Sequence, residues 1–194
     1  MRAVRDASAR RPRLTLSNGL SVIRLISAPA FYFALTGDAW TLACLLFWTA
    51  VATDWLDGRI ARVRGESSAF GGLLDHASDA LFVSLGLCAL AVSGRVTPWL
   101  PGLVGAAFLQ YVLDSHALDG RRLRTSALGR WNGILYFAPS GLVVSREAFG
   151  LAGPPDEGIA VLGWILVLST LLSMVDRAWT LLSGEEAGPP SDRA

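Results

Sequence analysis

Four aspartates stand in two closely spaced pairs within otherwise apolar sequence: Asp54 with Asp57, and Asp75 with Asp79. At about 100° per residue, a helix through the first pair carries Asp54, Asp57, Gly58 and Ala61 on one stripe. A helix through the second aligns Gly71, Asp75 and Asp79 as an i, i+4, i+8 row. Folding the two as an antiparallel hairpin about residue 66 sets Asp57 level with Asp75 and Asp54 level with Asp79, so the four carboxylates converge within one turn of height. Anions packed so closely repel one another. Hard divalent cations are the natural counter-charge, and ligation by oxygen alone suits Mg²⁺ or Mn²⁺ better than Zn²⁺. Gly58, Ala61, Gly71 and Gly72 leave room beside the acids for a flat or bulky group to approach the backbone. Surface pairing with Arg59, Arg62 and Arg64 accounts for one acidic pair but not for two aligned ones.

The elements that must position these acids are membrane helices. Of 194 residues, 52% are hydrophobic before the 20 glycines are added, and only 17% are charged, more apolar material than a globule of this size can bury. Two cysteines and the lack of a long low-complexity tract exclude a disulfide scaffold, a collagen-like repeat and general disorder. Six spans are expected, over residues 19–36, 39–61, 70–93, 98–117, 131–149 and 158–183, each reaching or nearly reaching the ~20 residues needed to cross the hydrocarbon core. The fold class is therefore all-α and integral to the membrane. The uncharged cores of the second and third spans, residues 39–53 and 80–94, are only 15 residues each, and the aspartates lie in the remainder. A carboxylate in a membrane helix costs a few kcal/mol, so four at one depth mark a functional site.

Every one of the 17 basic residues is arginine, and with both termini cytosolic only Arg95 and Arg146 fall in outer loops, which satisfies the positive-inside rule. The acidic hairpin end then faces the cytosol. Arg2, Arg5, Arg10, Arg11 and Arg13 resemble the charged start of a signal peptide, but the apolar stretch behind them is longer than a signal core. Residues 1–18 are read as a cytosolic basic juxtamembrane segment, 19–183 as a six-helix transmembrane catalytic domain, and 184–194 as a disordered cytosolic tail. Membrane lipids are the expected surroundings, with no nucleic-acid partner.

The run Asp54-x2-Asp57-Gly58-x2-Ala61-Arg62-x8-Gly71-x3-Asp75-x3-Asp79 resembles the signature of the CDP-alcohol phosphotransferases at every fixed position and spacing. Asn18-x-Leu20-Ser21-x2-Arg24 is similar to the start of that family's first helix. The resemblance implies a six-helix membrane enzyme, usually a homodimer, in a bacterial-type inner or plasma membrane. Such an enzyme passes a phosphatidyl-type group from a CDP-activated lipid such as CDP-diacylglycerol to an alcohol and releases CMP. By position, Asp54, Asp57, Asp75 and Asp79 would hold metal, two ions of Mg²⁺ or Mn²⁺, with Asp79 also the general base. Gly58, Ala61 and Gly71 would make space for the nucleotide, which Arg62, Asn18 and Arg24 would contact. Ser126-x2-Gly129-Arg130-x-Asn132 loosely resembles a stretch of the glycerophosphate-using branch, with Gly133 and Tyr136 standing where Thr and Gln usually follow. That leans the acceptor towards glycerol 3-phosphate, with inositol, its phosphate or serine as alternatives.

Arg121, Arg122, Arg124, Arg130 and Arg177 are candidates to grip an acceptor phosphate, since guanidinium forks match phosphate oxygens. Plain positive-inside charge on anionic lipid is the competing reading for the inner loop. Ser169, Ser173, Asp176 and Thr180 form a polar stripe on the last span, expected to face inward, and Gln110 with Asp114 invite the same reading. His76 and His116 are expected to be structural, and Cys44 and Cys88 to remain unpaired. A divalent-cation transporter is the alternative of another class; its acids should sit near mid-membrane on several helices, not near one face on two.

Overall fold

The computed structural model describes residues 16–64, 69–114 and 127–182, with side chains over 19–56, 71–113 and 128–179. Every element among them is a helix: α1 (Leu16–Thr36), α2 (Trp40–Arg64), α3 (Ala69–Val92), α4 (Trp99–Asp114), α5 (Ala127–Leu135), α6 (Phe137–Phe149) and α7 (Asp156–Leu182). Three stretches are long and apolar enough to cross a membrane, Gly19–Thr36, Gly71–Val92 and Asp156–Trp179, while Trp40–Leu56 and Trp99–Leu113 are apolar but shorter. Large side chains such as Ile26, Phe33, Val92, Leu172 and Val175 stand exposed on the outside of the bundle. That is the arrangement expected where the surrounding solvent is itself apolar.

The expected fifth span, residues 131–149, is two helices meeting at Tyr136, and it begins earlier, at Ala127. Pro139 accounts for the joint. Its ring has no N–H and crowds the carbonyl four residues back, that of Leu135, which is where α5 ends. Tyr136 keeps right-handed helical angles (φ −62°, ψ −23°) and its N–H still reaches the Asn132 carbonyl at 2.9 Å, so the chain bends without leaving the helical path.

α1 packs against α2 and α3, α3 against α4, α2 against α6, and α7 against α4 and α5. Each of the first three helices buries one stripe at three- and four-residue spacing: Ser21, Arg24, Ala28, Phe31 and Leu35 on α1; Ala43, Phe47 and Ala50 on α2; Ser78, Phe82 and Ala89 on α3. The stripes meet at an aromatic centre. Phe31 and Phe82 stack at 4.6 Å with their planes 4° apart, and Phe47 lies 6.0 Å from Phe31 and 6.2 Å from Phe137. Such ring pairs contribute about 0.5–1.5 kcal/mol beyond area burial. Two glycines admit them: a Cβ on Gly86 would come within 2.7 Å of Phe31, and one on Gly141 within 2.8 Å of Phe47. The same stripes, followed away from this centre towards the start of α1 and α3 and the end of α2, become polar.

Candidate active site

One helical turn beyond Ala50 the buried stripe of α2 reaches Asp54; one turn before Phe82 the stripe of α3 reaches Ser78 and Asp79, and then Asp75. Arg24 holds the matching core position on α1, between Ser21 and Ala28. Three helices thus deliver three carboxylates and one guanidinium to a single place. Carboxylate oxygens of Asp54, Asp75 and Asp79 lie within 4.8 Å of one another. The Arg24 guanidinium is 1% exposed and sits among them, Nη1 donating to Asp75 at 3.1 Å and to Asp79, and Nη2 standing 3.3 Å from Asp54. Ser21 donates to Asp75 at 3.3 Å, and the Ser78 hydroxyl lies 3.5 Å from Arg24 while donating to its own helix at the Asp75 carbonyl.

Beside the acids lies a cavity of about 420 Å³, the size of a small-molecule site. Asp54, His76 and Asp79 line its wall, as do Arg130 on α5 and Arg177 on α7. Between these groups runs a stacked series. Arg177 lies over the Tyr111 ring at 5.1 Å, and Tyr111 stacks on His76 at 5.5 Å. His76 Nδ1 is 2.8 Å from the Gly72 carbonyl; a carbonyl only accepts, so Nδ1 bears the proton and fixes the ring. Tyr136 also lines the cavity, its hydroxyl 2.7 Å from Thr170, which in turn donates to the Leu166 carbonyl at 2.6 Å. Much of the remaining wall is apolar, including Val83, Val104, Phe108 and Phe137.

The expected convergence is present for three of the four aspartates. Asp57, Gly58, Ala61 and Arg62 lie on α2 and Asn18 on α1, but their side chains are outside the described residues, as are Arg121, Arg122, Arg124 and His116 altogether. Gly71 lies in the first turns of α3. The guanidinium of Arg24, expected beside a nucleotide, is engaged by the carboxylates themselves. The polar stripe of α7 divides: Ser173 lines the cavity, Ser169 donates to Asn132 on α5 at 2.5 Å, Asp176 is exposed, and the side chain of Thr180 is not described. Gln110 lines the cavity and donates to the Met174 carbonyl at 3.1 Å. Cys44 and Cys88 are both free thiols. Sequence reasoning missed Tyr111, whose role depends on a partner 66 positions away; His76, expected to be structural, is among the residues that line the cavity.

A family model described as CDP-alcohol phosphatidyltransferase matches residues 14–176. The chain belongs to that family, whose members are transferases of phospholipid synthesis, and its apolar helices are those of an integral membrane protein. A putative cardiolipin synthase of Mycobacterium tuberculosis is 44% identical over 89 residues, 44% of this chain and 41% of that protein. CDP-diacylglycerol–glycerol-3-phosphate 3-phosphatidyltransferase 2 of Arabidopsis thaliana is 31% identical over 121 residues, 61% of this chain and 50% of the relative. A probable phosphatidylglycerophosphate synthase of Mycobacterium tuberculosis is 27% identical over 167 residues, 83% and 78% of the two chains. The alignments thus span between two fifths and four fifths of these relatives. The acidic cluster is one that can hold a divalent cation: its donors are all oxygens, close enough to share an ion, and among the described residues three carboxylates meet one guanidinium there.

Proposed function

We propose that this protein transfers a phosphatidyl group from a CDP-activated lipid, CDP-diacylglycerol, to glycerol 3-phosphate, forming phosphatidylglycerophosphate and releasing CMP. The observation that carries the reading is one cavity lined both by the carboxylates of Asp54 and Asp79 and by Arg130 and Arg177. A transfer between a diphosphate donor and a phosphate-bearing acceptor needs both. The names of the Arabidopsis relative and of the probable phosphatidylglycerophosphate synthase support the same acceptor.

Asp54, Asp57, Asp75 and Asp79 would hold two divalent ions, Mg²⁺ or Mn²⁺. Bound there, such ions neutralise the donor diphosphate and stabilise the departing CMP. Asp79 lines the cavity, where its carboxylate would accept the proton of the acceptor hydroxyl as that oxygen attacks the donor phosphorus. Arg130 and Arg177 would take the acceptor phosphate, a dianion that needs compensating charge beside a negative cluster. Gly58, Ala61 and Gly71 would leave the donor nucleotide room against the backbone, with Arg62 and Asn18 touching it. Arg121, Arg122 and Arg124 would add further positive charge for the acceptor phosphate.

In this reading residues 19–183 form a six-span catalytic domain with the site at the cytosolic face of a bacterial-type inner membrane, flanked by a basic juxtamembrane segment and a tail. The kinked pair α5 and α6 supplies one span. The protein works as a homodimer.

A second reading is favoured by the 44% identity to a putative cardiolipin synthase and by the apolar share of the cavity wall. Cardiolipin results when the phosphatidyl group goes to phosphatidylglycerol instead. The two readings separate in one assay: purified protein with CDP-diacylglycerol and Mg²⁺ or Mn²⁺, offered glycerol 3-phosphate or phosphatidylglycerol, with CMP and lipid product measured. CMP release with glycerol 3-phosphate supports the first reading; release with phosphatidylglycerol alone supports the second. No CMP with either, nor with inositol, inositol phosphate or serine, would refute the transferase reading.

A further inference from the structure

Arg24 occupies one oxygen of each carboxylate that could hold a metal ion. Its guanidinium contacts Oδ1 of Asp54, Asp75 and Asp79, and among the described residues these three carboxylates are the group able to hold an ion. Arginine stays charged whatever its burial, so the contact cannot be relieved by losing a proton. The side chain is also fixed in place. It occupies a core position of α1, 1% exposed, with Ser21 and Ala28 on the same buried stripe.

We propose that Arg24 is a positioning residue acting as a built-in counter-cation: it holds Asp54, Asp75 and Asp79 together before a divalent ion arrives, and it competes with that ion for the same three carboxylates. The inference rests on the divalent-metal reading above. Three carboxylates within 4.8 Å repel one another, and α2 and α3 bring them together only against that repulsion. A guanidinium from a third helix offsets it and ties α1 to both. The ligand set is then assembled in the metal-free protein, at the expense of affinity for the ion.

The two effects have opposite signs, which separates this role from a purely structural one. Loss of a merely structural arginine would weaken the fold and the metal site together. Loss of a competing cation would weaken the metal-free fold and tighten metal binding. The test uses the full chain in nanodiscs, with thermal unfolding and Mn²⁺ binding followed by the resonance signal of the free ion. Arg24→Gln is expected to lower the metal-free Tm by about 5 °C or more. Saturating Mn²⁺ should raise its Tm by more than it raises that of the unaltered protein, and its Mn²⁺ Kd should fall about tenfold, a change of about 1.4 kcal/mol. Arg24→Lys keeps the charge but not the planar fork and should bind Mn²⁺ with intermediate strength.

Equal or weaker Mn²⁺ binding by Arg24→Gln overturns the proposal. If that variant does not fold without metal, Arg24→Lys decides alone: Mn²⁺ affinity no better than that of the unaltered protein overturns it. Failure of the unaltered protein and both variants to bind Mn²⁺ defeats the metal reading and this inference with it, whereas equal binding by all three defeats only the inference.

Discussion

Two charged clusters stand towards opposite ends of α3, and they are built differently. Beyond its end, Arg95 and Arg146 meet Glu147 and Asp156, two cations against two anions. Arg146 reaches Glu147 and Asp156 at 2.6 Å each and the Pro154 carbonyl at 2.7 Å, while Arg95 approaches the same two acids at 3.7 and 3.6 Å and lies over Trp40 at 5.2 Å. Asp156 also begins α7, where a negative charge suits the helix dipole. Near the start of α3, among the described residues, one arginine faces three aspartates. The balanced cluster pairs each cation with both anions and joins the α3–α4 connection to the end of α6 and the start of α7. The unbalanced one, among the described residues, sets more carboxylates than guanidinium groups beside a cavity. Charge left over, rather than charge present, distinguishes a site from a clasp.

The sharpest way to break this comparison is to remove one carboxylate from each cluster. Asp75→Asn or Asp79→Asn should lower kcat by about a thousandfold or more, roughly 4 kcal/mol of barrier, while the protein still unfolds cooperatively. Glu147→Gln should leave kcat within about twofold. If an Asp variant kept a third of its activity, the inner cluster would be another clasp. A smaller effect is expected at the arginines of the cavity wall. Arg177→Gln should raise the KM for glycerol 3-phosphate about tenfold, about 1.4 kcal/mol, with cytidine nucleotide affinity little changed. A loss of nucleotide affinity equal to the loss in KM would move Arg177 to the donor side. Smallest is the outer clasp: Arg146→Gln removes charged hydrogen bonds worth about 1–3 kcal/mol, so Tm should drop by a few degrees at unchanged kcat. An altered kcat at unchanged Tm would show that the two ends are coupled.

The acidic pairs were legible in sequence because their alignment is local: a three- or four-residue step fixes which face a side chain takes. The hairpin that joins Asp54 to Asp75 and Asp79 was legible because its connection is short. The pairing of Arg24 with these acids was not, since it joins residues 55 positions apart on different helices, and no local period encodes that partner. One signal did point there. Ser21, Arg24, Ala28 and Phe31 follow the spacing of a buried stripe, so an arginine at that step is a core residue in need of anions. The break at Tyr136 was likewise readable from Pro139, but the apolar run on both sides makes one continuous span the simpler expectation. Tyr111, stacked between His76 and Arg177, lies beyond such reasoning because its neighbours come from different helices.

The central claim is that the unbalanced cluster serves a divalent ion in phosphatidyl transfer. Its most direct test is CMP release from CDP-diacylglycerol and glycerol 3-phosphate by protein stripped with chelator, followed by stepwise return of Mg²⁺ or Mn²⁺. The account predicts no release above background without metal and saturable recovery as either ion is restored. Full CMP release in the continued presence of chelator would contradict it.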